Sequence, residues 1–210
     1  MEIQRRGMLL VLSSPSGAGK TTLTRQLLAE EKDRMMLSVS ATTRPPRPSE
    51  TDGIDYHFLD NLTFGEMRNR EEFFESAKVF DNYYGTPIAP VIAAQEAGKD
   101  VVFDIDWQGT QQIEEKAADD LVKIFVLPPS VAELERRLTS RAADSPQIVS
   151  HRMSKAAAEI THYTEYDYII VNHNIEQSLI QVRAIVASER LKRKRQKGLS
   201  DFVQGLQQSL

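Results

Sequence analysis

The chain has 210 residues, 40% of them hydrophobic and 27% charged, with a formal net charge of −4, which suits an ordinary globular protein of one good-sized domain with a substantial core. It contains no cysteine, so a disulfide framework and a thiolate metal site are both excluded. The acidic balance gives no reason to expect nucleic acid as the main partner.

Two arginines precede an apolar run at the start of the chain, as in a secretory signal. Met8–Leu12 is too short for the apolar region of such a signal and leads into a turn of small residues, so a first strand over Met8–Ser14 is predicted. A helix follows over Lys20–Lys32, then a strand over Met35–Ser40. Further along come a helix over Ile88–Ala97, a strand over Asp100–Asp106, a helix over Gln108–Ala118 and a strand over Leu121–Leu127. Helices over Val131–Ser140 and Val149–Tyr163, a strand over Tyr168–Asn172 and a last helix from about Glu176 to Lys197 complete the pattern. The strands are near-continuous in Val, Ile and Leu, as in a parallel sheet covered on both faces. Their alternation with helices predicts a doubly wound α/β fold. No apolar window reaches the length of a bilayer, and the chain reads as cytoplasmic.

Two regions break the rhythm. Ala41–Gly85 is rich in Pro, Arg, acids and aromatics and reads as an insertion of short strands around one short helix, folded over the sheet edge. Ser140–Arg152 reads as a loop-and-helix lid. The basic run "RLKRKRQK" at Arg190–Lys197 reads as a solvated face of the last helix, with a basic docking patch as the alternative.

Between the first strand and the first helix stands Ser14-Pro15-Ser16-Gly17-Ala18-Gly19-Lys20-Thr21-Thr22, the context a P-loop requires. Small residues let successive backbone N–H groups turn toward one anion, and the helix N-terminus adds partial positive charge. Lys20 can then reach β- and γ-phosphates, and the Thr21 hydroxyl can ligate Mg²⁺. Ser14 stands where the general pattern has its first glycine, so a Gly-rich turn with an incidental lysine is the plainer alternative.

A P-loop does not name its reaction; the insertion must. Arg44 and Arg47 flank two prolines in "TTRPPRPSE", which stiffen the segment so that both guanidiniums can fork around a second phosphate. Glu50, Tyr56, Glu75, Tyr84 and Thr86 follow. Carboxylates and hydroxyls can read a base that carries N–H donors, and tyrosines can bond phosphate or pack on a ring. Singly, each of these fits a polar loop with surface ion pairs.

Together with "SSPSGAGKTTL", "NYYGTP", "DIDWQG", "IFVLPPS…RL..R" and "YIIVN", they give the chain a close resemblance to the guanylate kinase family over nearly its whole length. The resemblance implies a P-loop NTPase-like parallel sheet flanked by helices. Its core would be about 1–40, 86–139 and 153–210, with a GMP-binding insertion at about 41–85 and a lid at about 140–152. It implies Mg²⁺-dependent transfer of the γ-phosphate of ATP to GMP in purine nucleotide metabolism, with dGMP as a conceivable acceptor and a homo-oligomer as a conceivable state. Arg44, Arg47, Tyr56 and Tyr84 would hold the GMP phosphate, and Glu50 would support that cluster. Ser40, Glu75, Thr86 and Asp104 would read guanine, whose N1–H and exocyclic amine can both donate to Glu75. Adenine lacks that pair of donors, and sites built on such bonds discriminate strongly. Asp106 would help order Mg²⁺ and its waters, or simply cap the next helix.

Lys20, Arg44, Arg141 and Arg152 would be the catalytic residues, the last two closing on ATP from the lid; Arg137 could join them or be a solvated helix residue. Where a glycine is common in the family the lid has Ala142, and where an acid is common it has Gln147, which bears on lid flexibility. Asn172 resembles a residue near the adenine, with a strand-end turn as the alternative. The insertion and the lid are the pieces placed to swing toward the P-loop. The four histidines show no metal-ligand spacing, and Trp107 and Phe103 read as packing. Two rivals stand beside this reading: a protein-binding module that keeps the fold without the activity, and a P-loop kinase with another phosphorylated acceptor.

Overall fold

The structure, a computed structural model, describes residues 3–139 and 146–210. The chain begins with β1 (Gln4–Arg5), β2 (Leu9–Ser13), α1 (Lys20–Glu30) and β3 (Met35–Leu37). Then come β4 (Ala41–Thr42), β5 (His57–Phe58), α2 (Asn61–Asn69), β6 (Phe73–Val79) and β7 (Asn82–Pro87). The middle holds α3 (Ile88–Glu96), β8 (Asp100–Phe103), α4 (Trp107–Ala117), β9 (Leu121–Leu127) and α5 (Val131–Thr139). The last part holds α6 (Pro146–Ile160), β10 (Tyr168–Val171), α7 (Ile175–Arg190), β11 (Gln196–Lys197) and α8 (Leu199–Ser209).

Five strands form one sheet in the order β10–β9–β2–β8–β3, every neighbouring pair parallel. β2 is buried along its whole length, and its residues alternate between two cores. Leu10 and Leu12 join Leu23 and Leu27 of α1 and Val182 and Val186 of α7 on one face. Leu9 and Val11 join Val91 of α3 and Ile113 of α4 on the other. Each face of the strand is thus covered by helices, which is why the sequence reads as a continuous apolar run. Pro146 occupies the first position of α6, where its missing N–H has no intrahelical partner to lose, so this helix begins earlier than its apolar pattern suggests.

Residues 41–87 build a second sheet, β5–β4–β7–β6, parallel only between β4 and β5. α2 closes its core: Phe64 stacks on Phe73 at 4.6 Å and on Tyr83 at 5.6 Å, with Ala41, Leu59 and Met67 around them. Asp60 caps α2, accepting from the Thr63 N–H at 2.7 Å.

The C-terminal region corrects the sequence reading. α7 ends at Arg190, and the basic run forms a 3₁₀ turn and β11, which pairs antiparallel with β1. Arg190 binds the fully buried Asp100 and Glu31. Arg195, 1% exposed, bonds Glu189. Lys194 donates to the Asp119 carbonyl, and Lys197 pairs with Glu96. Much of the run is therefore neutralised internally by acids far away in sequence instead of being a solvated helix face. α8, which the hydrophobic pattern did not reveal, follows Gly198. Among the described residues no helix is long and apolar enough to cross a membrane.

Candidate active site

The P-loop leaves the C-terminal end of β2, between β8 and β9, where α1 departs for the edge strand β3. Such a switch in strand order opens a crevice for ligands. Gly17 and Gly19 take φ of +91° and +107°, which side chains rarely tolerate. A Cβ on Gly19 would also lie 2.4 Å from Nδ2 of Asn172. Ser14 is not among the positive-φ residues, so the first glycine of the general pattern is dispensable here. The loop borders a cleft of about 260 Å³ that also takes in Thr21, Thr22, Ile105, Asp106, Trp107 and Glu159. Lys20 Nζ sits 2.6 Å from Asp104 Oδ1 and donates to the Ile105 carbonyl at 3.3 Å.

Beneath the loop, Asn172 is 3% exposed. Its Nδ2 donates to the Ala18 carbonyl at 2.7 Å, and its Oδ1 accepts from Ser178 Oγ at 3.0 Å. Arg137 donates to the Ala18 carbonyl at 3.4 Å and to the Asn172 carbonyl at 3.2 Å. Asn172, read as a residue near the adenine or a strand-end turn, is a buried brace for the loop, and Arg137, read as a lid arginine or a solvated helix residue, is half-buried against the same loop. Hydrogen bonds from Arg136 and Arg137 hold the Glu133 carboxyl down at about 2.

A second cluster of candidate residues belongs to the region of the smaller sheet. Arg44 binds Glu50 in a fork, Nη1 to Oε2 at 2.9 Å and Nη2 to Oε1 at 2.8 Å. The Arg47 N–H donates to the same carboxylate at 2.7 Å, so Glu50 ties both arginine positions together, while the Arg47 side chain stays exposed. The guanidinium of Arg44 lies over Tyr56, 5.4 Å from the ring centre, and Tyr84 meets Tyr56 edge-on at 6.0 Å. The Arg44 hydrogen bonds hold Glu50 below the usual carboxylate range. A short way along the sheet, Thr86 Oγ1 donates to Glu75 Oε1 at 2.7 Å and lies 3.3 Å from Ser40 Oγ. Glu75 is 6% exposed, and burial pushes its carboxyl up from the ordinary value against the opposing hydrogen bonds of Thr86.

The loop and the smaller sheet approach each other along Asp104–Gly109. Lys20 of the loop touches Asp104 and Ile105. At the other end of that segment, the Glu75 Cγ lies 3.5 Å from where a Cβ on Gly109 would be, which brings the Glu75 side chain up to the start of α4. Asp106 caps α4, accepting from the Gly109 N–H at 3.0 Å. The short segment Asp104–Gly109 is therefore touched by Lys20 of the loop at one end and approached by Glu75 of the smaller sheet at the other.

Comparison with known proteins agrees. The family model described as Guanylate kinase matches residues 6–189. A guanylate kinase from Rhodospirillum rubrum is 62% identical over 96% of this chain and 92% of its own length. One from Nitrobacter winogradskyi is 57% identical over 99% and 94%. The crystal structure of guanylate kinase from Anaplasma phagocytophilum superposes with a TM-score of 0.73 at 37% identity, covering 96% of each chain. The chain belongs to the guanylate kinase family.

As a kinase of this family it carries the P-loop-type parallel sheet anticipated from its strands. Arg141 and Ala142 lie outside the described residues, as does the side chain of Gln147. Arg152 stands partly buried on α6, two turns before Glu159. Glu159 is a cleft residue that the sequence reading did not single out, and Trp107, read as packing, borders the cleft while stacked on His162 at 3.6 Å. No local pattern marks either of them. Phe103 is core, as anticipated. Thr21 and Asp106 border the same cleft and offer hard oxygen ligands. Among the described residues no cluster of three metal-binding side chains exists; Mg²⁺ needs none, because it keeps waters and shares substrate phosphates.

Proposed function

We propose the following division of labour for the reaction of this kinase, transfer of the γ-phosphate of ATP to GMP with ADP and GDP as products. The backbone of residues 14–22 receives the ATP polyphosphate at the mouth of β2. Lys20 leaves Asp104 to meet the β- and γ-phosphates, and the freed Asp104 joins Ser40, Glu75 and Thr86 on guanine. Arg44, Arg47, Tyr56 and Tyr84 hold the acceptor phosphate, with Glu50 fixing both arginine positions. Arg141 and Arg152 close over the transferring group. When bound, Mg²⁺ would spread the negative charge of the polyphosphate; Thr21 and, through water, Asp106 would hold it.

No strong general base is needed, because the acceptor is already an anion; alignment and positive charge carry the reaction. Residues 41–85 act as the GMP-binding insertion, and 140–152 as the lid. Both move toward the P-loop when the nucleotides bind, on a core of 1–40, 86–139 and 153–210. The enzyme works in the cytoplasm, in purine nucleotide metabolism and GMP recycling, with dGMP as a further acceptor.

The observation that supports this assignment best is the shared segment Asp104–Gly109, touched by Lys20 at one end and approached by Glu75 at the other. The test is ADP formation from ATP and Mg²⁺ with GMP, AMP, CMP or UMP, beside Lys20→Ala. Turnover with GMP alone, lost in the variant and without Mg²⁺, is expected. Equal turnover with AMP would defeat the assignment of Glu75, and undiminished turnover in Lys20→Ala that of the loop.

A further inference from the structure

The P-loop already carries an anion supplied by the chain itself. Glu159 Oε2, from α6, accepts from the Ser16 N–H at 3.3 Å, and the side chain borders the phosphate cleft. It is held there: the Glu159 side chain is only 16% exposed, with Lys155 Nζ 3.7 Å from its other oxygen. The lysine of the loop is occupied in the same way, by Asp104 at 2.6 Å. Both the backbone and the side-chain cation of the anion site thus face carboxylates.

A carboxylate presents two oxygens to N–H donors much as a phosphate does, and a loop N–H that bonds one anion is not available to a second. Ser16 belongs to the loop read above as the seat of the ATP polyphosphate, and the inference rests on that reading. We propose that Glu159 is a resident competitor of the donor site: its carboxylate must leave the Ser16 N–H before polyphosphate can bind. Its return would then help to expel the product. The requirement selects among anions. A polyphosphate gains contacts along the whole loop and on Lys20 that offset the displacement, whereas a small anion such as inorganic phosphate gains too few.

The consequence has an unusual sign, since removing a charged side chain from a binding cleft should strengthen binding. The probe is inorganic tripolyphosphate, which lacks base and ribose and so reports the loop alone. Its affinity can be measured by calorimetry and by fluorescence of Trp107, the one tryptophan of the chain, which borders the cleft. Glu159→Gln and Glu159→Ala are each expected to bind tripolyphosphate roughly threefold to tenfold more tightly than the parent, the difference between a charged and a neutral hydrogen-bond partner. The gain should shrink as salt rises from about 0.05 M to about 0.5 M, because screening weakens the repulsion being removed. A side chain that merely props up α6 would give weaker binding or none of this salt dependence. Unchanged or weaker affinity in both variants overturns the proposal. Lys20→Ala separates the two layers: full tripolyphosphate affinity in that variant overturns the reading of the loop itself, and the role of Glu159 with it.

Discussion

Replacing Glu75 by Gln should weaken GMP binding and stabilise the fold. Glu75 is 6% exposed, and Thr86 is its one hydrogen-bonding residue among the described residues. An ionised carboxylate offers about four acceptor sites, so lone pairs beyond the one Thr86 uses are available for the N1–H and amine of guanine in the proposed assignment. Glutamine has the same shape but turns one acceptor into an N–H₂ that would face a donor. One charge-assisted bond is lost and one donor left unpaired, a loss of about 3 kcal/mol or more, at least a hundredfold in GMP affinity. Stability moves the other way. Burial raises the Glu75 pKa above its unfolded value, so the parent loses stability as pH climbs past about 4.3, the unfolded range. A neutral glutamine side chain would carry no such penalty. The variant should therefore unfold at higher urea than the parent at pH 7, with the difference vanishing near pH 4 and below. Calorimetric titration with GMP and urea unfolding at both pH values test the pair of effects. A variant that binds GMP within twofold of the parent, or is less stable at pH 7, would defeat this account of Glu75.

Three further outcomes follow from the packing. Asn172→Ala leaves Ser178 Oγ without its acceptor and removes the closest donor to the Ala18 carbonyl; unfolding should show a loss of about 2 kcal/mol, and the KM for ATP should rise while that for GMP stays put. Gly19→Ala combines a φ of +107° with a Cβ 2.4 Å from the Asn172 amide, so activity should fall at least tenfold, with ATP binding measured by calorimetry as the check. Arg195→Ala removes a guanidinium that is 1% exposed from Glu189, which keeps Lys192 and Tyr168, and takes a donor from the Glu189 and Asp120 carbonyls; it should lower stability by about 2 kcal/mol in urea, leaving the KM of both nucleotides unchanged.

What could be read in advance depended on how local the cause was. Leu9–Ser13 announces itself because both its faces are covered, and Gly17 and Gly19 because the loop conformation demands them. The arginine–glutamate fork was legible in outline, since Arg44 and Glu50 are neighbours in the chain. Glu159 was not: on α6 it looks like any solvated helix residue, and its partner Ser16 is 143 positions away. Asn172 reaches Ala18 across 154 positions, so nothing beside it in sequence distinguishes a brace from a nucleotide contact. The basic run misled for the same reason, because Asp100 and Glu31, which neutralise Arg190, lie 90 and 159 positions upstream. Strand ends were also overrun: β3 stops at Leu37 with the end of its ladder to β8, although the residues beyond remain strand-like in character.

The ribbon joining β1 to β11 sets a timetable for a ribosome making this chain. Gln4 and Arg5 emerge long before their strand partners, Lys197 and Gln196. Asp100, with no exposed surface, must likewise wait for Arg190 before its second cation arrives. The nascent sheet can assemble its inner strands in order, but its seam closes only once residues 196–197 have been synthesised. Translation that stalls before residue 190 would release a chain whose phosphate loop is formed while a buried acid still lacks part of its neutralising charge.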